Sequence, residues 1–182
     1  MAGSDTFSTY ITPTGLAAAD PNGICLTQTP GSASNLTING ALQSGGVATL
    51  VPARNVTITS GGSSETGKTF TITGTATDGT TVTEAIAGPG GSATVSTTAL
   101  FETVTQVAVD AATAGAVTVG SGTTVNQVVF AGRTRLRGIY IVNAGAAGDL
   151  DFKNGSSNGS TVMKLMTTGT AATADYPDIP DE

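Results

Sequence analysis

The stretch GSSETGKT, residues 62–69, fits G-x-x-x-x-G-K-[ST], the spacing of a loop that cradles nucleotide phosphates. That chemistry needs a buried strand running into the loop and a helix leaving it. The helix N-terminus then aims its N–H groups at the phosphates, and the lysine reaches the terminal one. The upstream half fits, because NVTITS reads as a strand. VAVD, ending at Asp110, even imitates the acidic residue that helps hold magnesium. The downstream half does not fit. After Lys68 and Thr69 comes FTITGTATDGTTVTEAI, in which Phe70 and Ile72 alternate with threonines. β-Branched residues crowd a helix, and Gly74 and Gly79 would break it. The stretch is therefore read as a hairpin turn, with Lys68 a solvated strand-edge residue that discourages edge pairing.

Other reactive groups are sparse. The protein has no His, which removes imidazole acid–base catalysis, Ser-His-Asp triads and His-based metal sites. Its one Cys, Cys25, lies between Ile24 and Leu26 and reads as a buried structural thiol. Acidic residues are scattered singly, without the paired carboxylates and aromatic platform of a glycosidase. Glu84 shares parity with Val82 and Ile86, so it is expected to face inward and serve a strand-end or intersubunit contact. Asp149, Asp151 and Asn154 in DLDFKNG loosely resemble a calcium loop but lack its later bidentate Glu. No catalytic, cofactor-binding or metal-ligating residue is expected. Arg133, Arg135 and Arg137 in GRTRLRG alternate onto one strand face. They read either as a solvated face or as a docking stripe for an acidic partner surface or a neighbouring subunit, and they are the expected contact residues.

The elements that position these groups read as strands. SNLTIN, GVATLV, RNVTITS, KTFTITGT and TTVTEAIA each alternate apolar with polar residues, with Thr filling the polar face. Asp78-Gly79 sits between two such runs as a tight hairpin. TTALFETVTQVAVD divides into a helical turn near residues 99–102 and a strand through Asp110. Short strands with turn signals at roughly 8–12-residue spacing predict an all-β fold, a β-sandwich of Ig-like or jelly-roll-like type. Three segments follow: an extended N-terminal arm at residues 1–33, with Pro13, Pro21 and Pro30; a β-sandwich domain at 34–122; and a C-terminal β block at 123–182 ending in an acidic tail with two prolines. GSGTT, residues 120–124, marks the boundary. GLAAAD in the arm offers one helical turn, stopped by Asp20-Pro21.

Composition narrows the partners. The formal net charge is −6 with seven basic residues, which disfavours nucleic-acid backbone binding. A single Cys permits no internal disulfide. No leader-like segment and no apolar run of spanning length is visible, so a soluble product made in the cytoplasm is expected, without membrane association. Only 4% of residues are aromatic and there is no Trp, which weighs against a carbohydrate-binding module. A core of Val, Thr and Ala is thin, so burial between subunits is expected to supplement it.

The run NVTITSGGSSETGKTFTITGTATDGTTVTEAIAGP, then TALFETVTQVAVDAATAGAVTVGSG, resembles a recurrent module of tailed-bacteriophage virion structural proteins. GIYIVNAGAAGDLDFKNGSSNGSTVMKLMTT is similar to their C-terminal β part. The resemblance spans residues 35 to 175 and rests on texture and phrase order rather than on a catalytic signature. It implies β-sandwich modules, homo-oligomers (often trimers) and no enzymatic activity. It further implies a head decoration, or cement, protein that binds the major capsid protein or other virion proteins. A neck, tail or fibre component of the same virion is the alternative. Related proteins extend past PDIPDE with another strand pair. The expectation here is that the tail docks differently or that a neighbour supplies the last strands.

Overall fold

The computed structural model describes residues 18–126, 139–142, 147–168 and 173–176. Every regular element among them is a strand. In sequence order these are β1 (Asp20–Gln28), β2 (Ser34–Asn35), β3 (Gln43–Ser44), β4 (Val47–Ser60), β5 (Thr69–Thr75) and β6 (Thr81–Ala87). They continue as β7 (Thr94–Val109), β8 (Val117–Asn126), β9 (Ile139–Val142), β10 (Ala147–Lys153), β11 (Thr161–Thr168) and β12 (Thr173–Tyr176). The fold is all-β and of β-sandwich type. The protein divides into two compact units, Met1–Val129 and Phe130–Glu182.

The first unit is an eight-stranded antiparallel sheet in the order β1-β8-β4-β7-β5-β6, with β2 paired to β7 and β3 to β4. Its periodicity follows the threonines. On β5, Phe70, Ile72 and Gly74 are buried and the intervening threonines are not. The hydroxyls on the other face pair across the ladder: Thr59 with Thr94 at 2.8 Å, Thr73 with Thr83 at 3.3 Å and Thr75 with Thr103 at 2.7 Å. Such cross-strand pairs each add a few tenths to about 1 kcal/mol. The hairpin between β5 and β6 turns at Asp78-Gly79 as expected. Gly79 adopts φ 78°, and Asp78 Oδ1 accepts from the Thr80 N–H at 3.0 Å and its hydroxyl at 2.6 Å.

The core is one cluster that includes Ile24, Cys25, Leu50, Val56, Ile58, Phe70, Ile72, Phe101, Val104, Val107, Val117 and Val119. Leu36 and Ile38 join it as expected, although only Ser34–Asn35 of that run forms a ladder. Among the described residues of the second unit, β10 pairs antiparallel with β11 and β9 with β12.

Several expectations are corrected. The described part of the expected arm is not an extended arm. Asp20–Gln28 is β1, an edge strand of the main sheet, and Ile24 and Cys25 are fully buried against it. Its register slips twice against β8, which is why its sequence lacks sustained alternation. Residues 15–17 of GLAAAD, and the remainder of residues 1–17, lie outside the described residues. GVATLV and RNVTITS are not two strands but one, β4, continuous through the cis Val51–Pro52 bond. Residues 53–58 of this strand are all buried, Asn55 and Thr57 included, so both of its faces are covered there, and β8 and β7 take its two edges. The helical turn near residues 99–102 is absent. β7 runs unbroken, Leu100 opposite Asn55 and Phe101 opposite Arg54, and this pairing overrides local helix preference.

The boundary at GSGTT is also misplaced, since residues 120–124 lie within β8. These glycines are there for close approach rather than for a linker. A Cβ on Gly120 would stand 1.9 Å from the Asp20 carbonyl oxygen, and one on Gly122 would stand 2.4 Å from Asn55 Oδ1.

Candidate functional site

Residues 61–68 connect β4 to β5, which are not neighbours: β7 lies between them. The segment is therefore a crossing loop, not the expected hairpin turn. β5 in turn sits between β7 and β6, so Lys68 enters an interior strand rather than an edge. No helix begins at Lys68; the backbone from Thr69 is the extended strand β5.

Several of the N–H groups in and beside the motif, those of Gly62, Glu65, Lys68 and Thr69 among them, are already engaged within the protein. Gly61 N–H donates to the Ala116 carbonyl at 2.8 Å, and Gly62 N–H donates to Ser60 Oγ at 3.2 Å. Glu65 N–H donates to the Pro89 carbonyl and Lys68 N–H to the Glu65 carbonyl, each at 2.8 Å. Thr69 N–H donates to Asp110 Oδ1 at 2.9 Å, and Asp110 N–H returns a bond to the Thr69 carbonyl at 3.1 Å. Asp110 thus lies beside the end of the motif, but its carboxylate faces backbone. The Thr69 N–H, foremost, holds the Asp110 carboxyl below the usual carboxylate range.

Glu65 is the centre of this region and was not singled out from sequence. It is fully buried. Its Oε1 accepts the Gly115 N–H and its Oε2 the Ala114 N–H, both at 2.8 Å. One carboxylate therefore pins loop 61–68 to loop 110–116, while the Glu65 backbone holds the Gly88-Pro89 turn. Gly88 is required where it packs, since a Cβ there would lie 2.3 Å from the Glu65 carbonyl oxygen. Both carboxylate oxygens are spent on backbone donors inside a close-packed joint, the strong charge-assisted kind of hydrogen bond. The arrangement is a brace.

Glu84 works the same way. It is half-buried and faces inward, as its parity with Val82 and Ile86 predicts. Between the pairs Asn55–Leu100 and Thr57–Ser96, β7 carries three residues against one on β4. This bulge at residues 97–99 frees amides from the ladder. Glu84 Oε1 accepts the Thr98 N–H at 2.9 Å and Oε2 the Ala99 N–H at 2.7 Å. The Val56 N–H is taken by Thr97 Oγ1 at 2.9 Å, and that hydroxyl donates to the Ala99 carbonyl at 2.8 Å. The expectation of a strand-end or intersubunit contact gives way to an internal one, because the bulge supplies the donors.

Two further buried polar residues carried little sequence signal. Arg54, 5% exposed, donates from Nη1 to the Gly122 carbonyl at 3.2 Å, and Asn55 Oδ1 accepts the Thr124 N–H at 3.0 Å. All that marks them is a polar pair in the middle of β4, ahead of the alternating VTITS. Cys25 is the buried thiol expected, and burial pushes its pKa up to about 12. Asp151 stands directly opposite Lys164 in the β10–β11 ladder, which makes DLDFK a strand rather than a calcium loop. Among the described residues no three His, Cys, Asp or Glu side chains converge as a metal site. Arg133, Arg135 and Arg137 lie outside the described residues.

The class defined by this fold and site is a β-sandwich-type protein whose inward carboxylates brace backbone loops. No family model, no curated protein and no solved structure matches the sequence.

Proposed function

We propose that this protein is a non-enzymatic structural component of a bacteriophage virion, most specifically a decoration protein that binds and stabilises the head shell. The observation that carries this reading is the use made of Glu65 and Glu84. Both inward carboxylates are committed to backbone amides at 2.7–2.9 Å, reinforcing loops and a bulge. The residue pattern resembling virion proteins supplies the rest of the support. The protein acts as a homo-oligomer, a trimer, on the major capsid protein or another virion protein, with Arg133, Arg135 and Arg137 meeting acidic groups. Its site of action is the particle, after synthesis in the host cytoplasm.

The test is quantitative mass spectrometry of purified particles of the encoding virus, with heat stability of particles lacking the protein. Copy numbers that match the shell lattice, together with heat-labile particles in its absence, are expected. Its presence as a single small ring would move the protein to the neck or tail. Its absence from particles would end the virion reading.

A further inference from the structure

Four Asn-Gly dipeptides occur in the sequence, at Asn22, Asn39, Asn154 and Asn158. In such a pair the glycine backbone nitrogen can attack the asparagine Cγ, forming an N–Cγ bond. The Cγ–Nδ2 bond breaks, and the amide nitrogen leaves as ammonia with the proton lost from the glycine nitrogen. Water then opens the resulting succinimide at one carbonyl or the other, giving Asp or its β-linked isomer. Three conditions govern the step: a free glycine N–H, a mobile asparagine amide and a peptide plane that can rotate.

Three of the four sites fail these conditions. At Asn39-Gly40 the side-chain Oδ1 is held by the Leu26 N–H at 2.9 Å, and the Gly40 N–H donates to the Ile24 carbonyl at 2.9 Å. At Asn158-Gly159 the Gly159 N–H donates to the Ser156 carbonyl at 3.0 Å. At Asn22-Gly23 the pair lies within β1 and Gly23 is buried, which restrains the peptide plane.

Asn154-Gly155 meets the first two, and its peptide plane is tied at one end, by the Ser156 N–H on the Asn154 carbonyl, while the Gly155 end is open. Both residues are exposed at the start of the β10–β11 turn. Gly155 has φ 84°, and a Cβ built there would meet no atom within 4 Å. The hydrogen bonds of this turn run from the Asn154 N–H to the Ser160 carbonyl at 3.0 Å and from the Ser156 N–H to the Asn154 carbonyl at 3.2 Å. They engage neither the Asn154 side chain nor the Gly155 N–H.

We propose that Asn154-Gly155 is a self-modification site, where folded protein deamidates ahead of its other Asn-Gly pairs with water as the only co-reactant. The product adds a negative charge beside Lys153, whose Nζ donates to the Ser157 carbonyl at 3.0 Å. The β-linked isomer also lengthens the backbone within the turn.

The test is peptide mass spectrometry of the full-length protein incubated at mildly alkaline pH, folded and in urea. In urea the four sites should convert at similar rates. In the folded protein Asn154 should lead each of the others by roughly tenfold or more, the rate equivalent of one broken constraint. Asn154→Gln should abolish the leading product and leave the slow ones. If folding slows Asn154 as much as Asn39 and Asn158, or if any of the other three sites leads in the folded protein, the proposal is wrong.

Discussion

At the scale of single residues, buried Glu65 replaces water with two amide donors, and its removal strands both. Truncation leaves the Ala114 and Gly115 N–H groups without an acceptor in a close-packed joint. Glu65→Ala is therefore expected to cost about 3 kcal/mol, the scale of stranded donors facing a lost charged acceptor. Urea unfolding measures it, and a loss within the error of the wild-type value would contradict the brace. Asp110 gives a pH signature. Its folded pKa is depressed, first by the Thr69 N–H. Its contribution to stability is thus fully present above the unfolded carboxylate value of about 3.9 and is lost as pH falls through the lower folded value. The stability gap between wild type and Asp110→Asn should be constant near neutrality and shrink on acidification. A gap that widens in acid would reverse the assignment.

At the scale of elements, the long strands β4 and β7 decide the architecture. Each serves several partners, and the mismatch is absorbed by the bulge that Glu84 and Thr97 satisfy. Close approach within the sheet accounts for glycines that sequence alone would assign to loops. A Cβ on Gly74 would meet the Thr103 carbonyl oxygen at 1.8 Å. Gly74→Ala should destabilise by about 3 kcal/mol, because backbone rather than a flexible side chain must move. Gly67→Ala, where no atom lies within 4 Å, should stay within about 0.5 kcal/mol of wild type. Equal effects for the two variants, read from thermal or urea unfolding, would show that crowding at Gly74 is not what selects glycine.

At the scale of the whole molecule, the protein has two compact units. Among the described residues, Phe70 and Phe101 are the only aromatic side chains in the fully buried core. A core of valine and isoleucine, with few aromatic side chains, gains from burial between copies. The proposed trimer is checked by sedimentation of the purified protein across a concentration series. A mass three times that of the monomer is expected, and a monomer at every concentration would remove the self-association on which the shell reading leans.

The strand content, the inward sets Phe70/Ile72 and Val56/Ile58 and the Asp78-Gly79 hairpin were legible because they depend on period-two alternation and local turn chemistry, and the buried Cys25 because it stands between Ile24 and Leu26 in a protein without His. The inward parity of Glu84 was legible for the same reason. The donors it meets were not, because the bulge at residues 97–99 exists only through pairing with β4. Glu65 carried no signal: its donors lie about fifty positions away, and its neighbours spell a phosphate loop. The amino-acid order by itself determined that residues 69 onward would pleat, since alternating β-branched side chains disfavour a helix. Tertiary structure alone decided that β7 would lie between β4 and β5, turning a turn into a crossing loop and a phosphate motif into a brace. Strand order is set by contacts between residues far apart in sequence, and no local pattern encodes them.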